Sequence, residues 1–519
     1  MSGWNLSRRG FLKAGLAGAV LASGRVSAAE QPKQPNLLVI MPDQMRGDCL
    51  SCLGHPAQRT PNIDALAEEG VLFHRGYTTV PSCVAARYGY LTSLHPQTHG
   101  VFSNAGQTEV THPTMQQAFQ DEGYLTVLVG RGMHQQNPDE DLGYERVISG
   151  SVWPGQTDYS DFLKEKAPPD TPLGERLHQD GMRAMVAEIG MTYNHWQAEP
   201  WPLDDDWHPV PWIVRKSLEV TEESPDDRPL FLTTSFYAPH PPLCPSAEFF
   251  DAYMEMDLPE PARGDWVDWE ALSPPPGDHG GSRVQLEGDT LRRAQAGYFG
   301  LIEQIDDAIG PLIAAFKARS EEAGRPWVIL FASDHGEMLG DHGYFRKCEP
   351  YEGSANVPFI VAGSEDLGFQ AGLRSHQVVC LEDIMPTLAA LAGMDAHEEL
   401  DVDGVSLAPL LRGEEQTVRP WLHMEHSPNF SQAQAFHALT DGRHKYIWRP
   451  KDGSEQLFDL DEDPHEEHDL AQSADHETLL RQWREKLIEH LEPRPEGFSD
   501  GEQLIAGRPY RPNMPEGTP

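Results

Sequence analysis

From residue 36 onward, short uninterrupted apolar runs alternate with amphipathic stretches. That is the pattern of strands buried on both faces and joined by crossover helices. Four runs read as strands: NLLVIM (36–41), LTVLV (125–129), PLFLTTSFY (229–237) and WVILFA (327–332). Between them, RTPNIDALAEEG predicts a helix with Thr60 as its cap, Pro61 in its first turn, Ile63, Leu66 and Ala67 on one face, and Gly70 as its stop. Tyr298, Leu301, Ile302, Ile305 and Ile309 mark the buried stripe of a second, longer helix. The fold class expected is α/β, with a large, mostly parallel sheet sandwiched by helices.

Each strand is followed by polar residues of ligand type. Asp43 and Gln44 follow the first, Arg131 and His134 the second, His240 the third, and Asp334 with His335 the fourth. In open α/β sheets ligands bind at the carboxyl edge, so these residues are the first candidates for chemistry. Residues 139–280 are less regular, rich in proline and carrying Trp153, Trp196, Trp201, Trp207, Trp212, Trp266 and Trp269. These are either faces for stacking sugars or anchors that pin long loops to the body. LRGEEQTVRP (411–420) reads as a boundary. Beyond it, strand-like pieces near 421–426, 436–440, 445–449 and 456–460 precede a helix carrying Leu479, Leu480, Trp483, Leu487 and Leu491. The expected organisation is a catalytic domain over 35–415, a small C-terminal α+β subdomain over 421–492, and a surface or loose tail over 493–519.

Composition narrows the partners. The 519 residues carry a formal net charge of -41, which excludes nucleic acid and requires any anionic ligand to be held by a local cluster. Six cysteines are too few for a disulfide scaffold. Cys49 and Cys52 form a C-x-x-C without a second pair at metal spacing, which favours a structural role. Residues 1–29 have the layout of an export signal. Arg8 and Arg9 precede a short apolar stretch, small residues cluster at Ser27, Ala28 and Ala29, and the whole resembles a twin-arginine signal. The expectation is an exported protein, periplasmic or extracellular, without a membrane span. The sequence sets no oligomeric state.

Asp43, Gln44, Asp334 and His335 together suit a divalent cation, Ca²⁺, Mg²⁺ or Mn²⁺ rather than zinc. A cation of that hardness prefers oxygen to the sulfur of Cys83. SCVAARYGYLTSLHPQTHG (82–100), which holds that cysteine, resembles the type I, formylglycine-dependent sulfatase signature C-x-(P/A)-x-R. PNLLVIMPDQMRGDCLSCLG is similar to the opening metal strand of that family in its Asp-Gln form. SDHGEMLGDHGYFRKCEPYEGSANVP resembles the second metal segment, and HKYIWRPKDGSEQLFDLDEDPHEEHDLA the C-terminal subdomain. The resemblance spans roughly residues 35 to 475.

It implies an alkaline phosphatase-like fold and a sulfuric ester hydrolase of arylsulfatase type. A formylglycine-generating maturation enzyme would convert Cys83 to Cα-formylglycine, whose hydrate is both a ligand of the cation, most often Ca²⁺, and the nucleophile. One hydroxyl of the diol would attack sulfur and displace the alcohol, and loss of the proton from the other would collapse the resulting sulfated hemiacetal to the aldehyde and expel sulfate. Carried over residue by residue, Asp43, Gln44, Cys83, Asp334 and His335 hold the metal, and Asp334 also takes a proton. Arg87 holds the diol or the sulfate oxygens, while His240 and Lys347 stand beside the leaving oxygen. Two positions depart from the common pattern: Ala85 stands where proline is frequent, and GRGMHQQ replaces Gly-Lys-x-His. Arg131 therefore takes the place of a lysine at the sulfate, and His134, one place late, is the candidate base for the hemiacetal.

The substrate expected is a sulfated carbohydrate or an aryl or alkyl sulfate ester. A phosphonate or phosphate ester hydrolase on the same scaffold is one rival. A non-catalytic glycan-binding protein with unmodified Cys83, or a thiol hydrolase, is another.

Overall fold

The computed structural model describes residues 33–106, 109–133, 140–150, 157–167, 170–180, 182–192, 195–272, 283–394, 400–414, 417–429 and 434–514. Eight strands form the main sheet: β1 Asn36–Asp43, β2 Val71–Tyr77, β3 Leu125–Gly130, β4 Arg146–Ser149, β5 Leu230–Pro239, β6 Trp327–Ala332, β7 Phe359–Gly363 and β8 Leu373–Cys380. Their order across the sheet is β4-β3-β5-β1-β6-β7-β2-β8. β7 runs antiparallel to both its neighbours, β6 and β2, and the remaining pairings are parallel. The four strands read from the sequence are therefore neighbours, β3-β5-β1-β6, at the middle of the sheet.

β1 shows why both faces must be covered. Leu38 and Ile40 enter one core with Ile63, Leu66, Tyr298, Ile302 and Ile305, while Leu37, Val39 and Met41 enter the other with Leu330, Leu381 and Leu388. Alternate residues of one strand thus feed two helical layers. The helix predicted after Thr60 spans Pro61–Glu69, but Thr60 does not cap it. The Thr60 hydroxyl turns to Asp64 instead, and the first-turn N–H groups of Asn62 and Ile63 donate to the Asp306 carboxylate at 3.1 and 2.8 Å. Asp306 lies on the long helix Gly288–Glu322, so the cap comes from a neighbour and locks two helices together.

Four antiparallel strands, β9 Leu422–His426, β10 Phe436–Thr440, β11 His444–Trp448 and β12 Glu455–Asp459, form a second sheet in sequential order. Leu480, Trp483, Leu487 and Leu491 of the helix Glu477–Leu491 pack on it. The chain after 492 is not loose through its described part. Phe498 and Tyr510 join that core, and Tyr510 donates to the buried Glu425.

None of the six cysteines forms a disulfide. Trp196 and Trp201 are buried and anchor loops, Trp212 is buried on the helix Pro209–Glu223, and Trp153 lies outside the described residues. The export signal at 1–29 lies outside them too. Among the described residues no helix is long and apolar enough to cross a membrane.

Candidate active site

Adjacency of the four central strands gathers their carboxyl ends into one place. Asp43 closes β1, Asp334 and His335 follow β6, His240 follows β5 and Arg131 follows β3. The helix Cys83–Thr92 begins over this edge and presents Cys83 with its first turn, so Arg87, four residues on, returns to the same face. Asp43, Cys83, Asp334 and His335 are all buried, and each offers a ligand atom within 4.8 Å of the others. Cys83 Sγ lies 3.0 Å from His335 Nε2, 3.2 Å from Lys347 Nζ and 3.9 Å from Asp43 Oδ1.

Arg87 is wholly buried and braces the two carboxylates. Its Nε donates to Asp334 Oδ2 at 2.9 Å, its Nη2 to Asp43 Oδ2 at 3.1 Å and its Nη1 to Ser235 Oγ at 3.3 Å. Arg131 Nε stands 2.8 Å from the same Asp43 Oδ2, and its guanidinium lies over the Tyr237 ring, 4.5 Å from the centroid. Lys347 Nζ donates to Gln44 Oε1 at 2.7 Å. The two neighbours of Lys347, Arg346 and Cys348, have φ of 71° and 78°, and Gln44 has φ of 69°. Left-handed backbone at three non-glycine residues is strain that the surrounding structure must hold, and it is concentrated at these side chains.

Two histidine tautomers follow from their acceptors. His335 Nδ1 lies 2.9 Å from the Gly336 carbonyl, which can only accept, so Nδ1 carries the proton and Nε2 faces Cys83. By the same logic His240 Nδ1, 2.7 Å from the Pro241 carbonyl, carries a proton and leaves Nε2 as acceptor when the ring is neutral.

Electrostatics agrees with this arrangement. Burial pushes the Asp43 carboxyl up, but Arg131, with His240 and Arg87, holds it below the usual value. Burial likewise opposes ionisation of Asp334, and His335 and Arg87 overcome it. Burial disfavours the His335 imidazolium, yet Asp334 and Cys83 raise its pKa. His240 is pushed well below its ordinary value by burial and then by the Lys347 charge.

The donor set fits a divalent cation. Two carboxylates and the Gln44 amide oxygen are hard donors, and one imidazole nitrogen with the right tautomer joins them.

Every sequence-predicted residue that is described falls in this cluster: Asp43, Gln44, Cys83, Arg87, Arg131, His240, Asp334, His335 and Lys347. His134 lies outside the described residues. The sequence did not mark Ser235, Tyr237 or Glu337, all of which touch members of the cluster. Nor did it mark His426 of β9, which is fully buried. Its pKa falls to about 3, through burial first and in smaller part through the His335 charge.

A family model described as Sulfatase matches residues 35–394, and one described as N-sulphoglucosamine sulphohydrolase, C-terminal, matches residues 340–492. An arylsulfatase of Clostridium perfringens is 35% identical over 92% of this chain and 98% of its own length. A choline-sulfatase of Rhizobium meliloti is 32% identical over 85% of this chain and 83% of its own. Among solved structures, the phosphonate monoester hydrolase of Agrobacterium radiobacter superposes with a TM-score of 0.70 at 24% identity, covering 88% of this chain and 95% of that one. A protein solved with its substrate D-glucosamine-2-N,6-O-disulfate superposes with a TM-score of 0.69 at 18% identity, covering 89% and 98%. At these identities the two structures speak for the fold alone.

Proposed function

The chain belongs to the sulfatase family and hydrolyses sulfate esters, and from that premise we propose a substrate, a nucleophile and a cation. The substrate is a sulfated carbohydrate or an aryl or alkyl sulfate ester. The nucleophile is Cα-formylglycine, made from Cys83 by a formylglycine-generating enzyme. Asp43, Gln44, Asp334 and His335 hold the cation, Ca²⁺ in preference to Mg²⁺ or Mn²⁺. The observation that carries this reading is the place of Cys83: it opens a helix inside a ring of hard-cation donors, 3.2 Å from the Lys347 ammonium.

When bound, the cation and the hydrated aldehyde supply a hydroxyl nucleophile of lowered pKa in place of a thiol. The protein's side chains do the rest. Asp334, whose Oδ1 accepts the N–H groups of Gln44 and His335 and whose Oδ2 is held by Arg87, is fixed as a carboxylate beside residue 83 and takes up its proton. Arg87 and Arg131 both pair with Asp43 Oδ2 and place two fixed positive charges where sulfate oxygens would lie. His240 is held neutral, so proton donation to the departing alcohol falls to Lys347. Arg131, always charged, adds binding but no proton.

The reading extends to export by the twin-arginine route, supported by the layout of residues 1–29. Mature protein from the natural host beginning well after Ala29, or uncut, would contradict it.

The deciding experiment is the mass of the peptide containing Cys83 from that same material, with turnover of aryl sulfate and phenyl phosphonate monoesters measured in parallel. Loss of about 18 Da relative to the thiol, with faster sulfate turnover, supports the proposal. Conversion with faster phosphonate turnover would favour the ester-hydrolase rival. An intact thiol with glycan binding and no turnover would leave a binding protein.

A further inference from the structure

Gln44 is held from four directions. Its N–H donates to Asp334 Oδ1 at 3.1 Å, its carbonyl accepts from the Tyr298 hydroxyl at 2.7 Å, its Oε1 accepts from Lys347 Nζ at 2.7 Å, and its Nε2 donates to Glu337 Oε2. The last contact decides which end of the amide faces the cation donors. A carboxylate can only accept and an ammonium can only donate, so Nε2 must face Glu337 and Oε1 must face Lys347. Turning the amide over would set NH₂ against the ammonium and oxygen against the carboxylate.

The other oxygen of Glu337 reaches the loop that carries Lys347. Oε1 accepts from the N–H of Leu339 at 2.9 Å and from the N–H of Arg346, and both residues are left-handed, with φ of 48° and 71°. One buried carboxylate therefore ties the amide of β1's edge to the strained turn next to Lys347.

We infer that Glu337 is the positioning residue of the cation site: it fixes the Gln44 amide with its oxygen toward the cation and registers that oxygen against Lys347. The inference rests on the cation reading above. Its chemical content is that an amide presents a lone pair through oxygen and none through NH₂, so orientation sets whether Gln44 is a ligand at all.

Replacing the carboxylate by its amide isostere tests this with little change of shape. In Glu337→Gln the new amide can offer its oxygen to the two backbone N–H groups, which leaves its NH₂ facing Gln44 and drives that amide to turn over. The swap Glu337→Gln with Gln44→Glu restores a donor facing an acceptor. The full-length protein is stripped with chelator and titrated with Ca²⁺ by calorimetry, independently of turnover.

The expected result is Ca²⁺ binding weakened about 10- to 100-fold in E337Q, the range for residues that orient ligands, with most of the loss returned by the swap. Lys347→Met, which leaves Glu337 holding the amide, is expected to bind Ca²⁺ no more weakly than wild type, and it keeps the test decisive if E337Q does not fold. Wild-type affinity in E337Q overturns the inference, as does a swap no better than E337Q, which would assign Glu337 to loop folding alone. Binding lost in K347M overturns it too. Wild-type protein that takes up no Ca²⁺, Mg²⁺ or Mn²⁺ would sink the cation reading and this inference together.

Discussion

Lys445→Met should unfasten the C-terminal sheet, and the size of the effect can be worked from three contacts. Lys445 of β11 is wholly buried, and its ammonium spends its three donors on the Pro350 carbonyl at 2.9 Å, Glu466 at 2.8 Å and Glu352 at 2.7 Å. Removing it strands the buried Glu466 carboxylate without a counter-charge, a loss of about 3–5 kcal/mol. Unfolding entropy near 2.1 cal/mol/K per residue gives about 1 kcal/mol/K for a chain of this length, so the melting temperature should fall by about 3–5 °C. The loss should depend on pH with a defined sign. Burial pushes the Glu466 carboxyl up to about 7 against the pull of Lys445. A folded carboxyl with a raised pKa keeps its proton longer than the unfolded chain, so stability declines as pH climbs from about 4.5 to about 7. Without Lys445 that pKa rises further. K445M should then lose little near pH 5 and its full amount near pH 8, and K445M with Glu466→Gln should recover more than half. Scanning calorimetry at the two pH values reads all of this. An equal loss at both, or a double variant less stable than K445M, would refute the reasoning.

Asp306→Ala should cost about 1–2 kcal/mol in denaturant unfolding by uncapping the helix Pro61–Glu69, and Asp306→Asn less because one acceptor survives. His208 accepts from the Val210 N–H at Nδ1 and donates from Nε2 to the Cys244 carbonyl, and burial lowers its pKa to about 4. A depressed histidine pKa gives stability that is present above about 6.5 and lost as pH falls toward 4, up to about 3 kcal/mol, so His208→Asn should flatten that acid limb. Tyr237→Leu removes the ring under Arg131 and should lower kcat/KM for an aryl sulfate about 5- to 30-fold, the equivalent of about 1–2 kcal/mol; unchanged kcat/KM would show that the ring does not aim the guanidinium.

The central strands were legible because a strand buried on both faces must be apolar throughout, and NLLVIM and WVILFA admit no other reading of comparable strength. Their adjacency was not. Lateral order among parallel strands is set by crossovers whose lengths overlap, and FIVAG reads alike in either direction, so the antiparallel β7 left no signal. The side chains proposed to hold the cation were recoverable as a group, since chemistry restricts them to a few residue types just after strands. Glu337 was not, because its meaning depends on meeting Gln44 across 293 positions. Thr60 misled for a related reason: a local capping signal lost to Asp306, which can satisfy two N–H groups where a hydroxyl satisfies one.

Charge joins these observations. A chain with a net charge of -41 repels an anionic ester at long range, yet the described site sets three cationic side chains, Arg87, Arg131 and Lys347, against three carboxylates, Asp43, Asp334 and Glu337. The local balance is therefore even, where the chain as a whole is strongly negative, and a divalent ion would make it positive by two. Burial gives that balance its force, because Coulomb interactions strengthen as water is excluded and salt screens them less there than at the surface. It also explains why the arginines do not stand free: a guanidinium buried without a carboxylate would be too costly, so each is anchored on Asp43, the carboxylate proposed to face the cation. Asp43 is the shared anchor, bound to Arg87 and Arg131 through Oδ2 and turned to His335 and Cys83 through Oδ1. On the proposed reading, substrate recognition and cation binding are two faces of one carboxylate, and a change that moves Asp43 would disturb both.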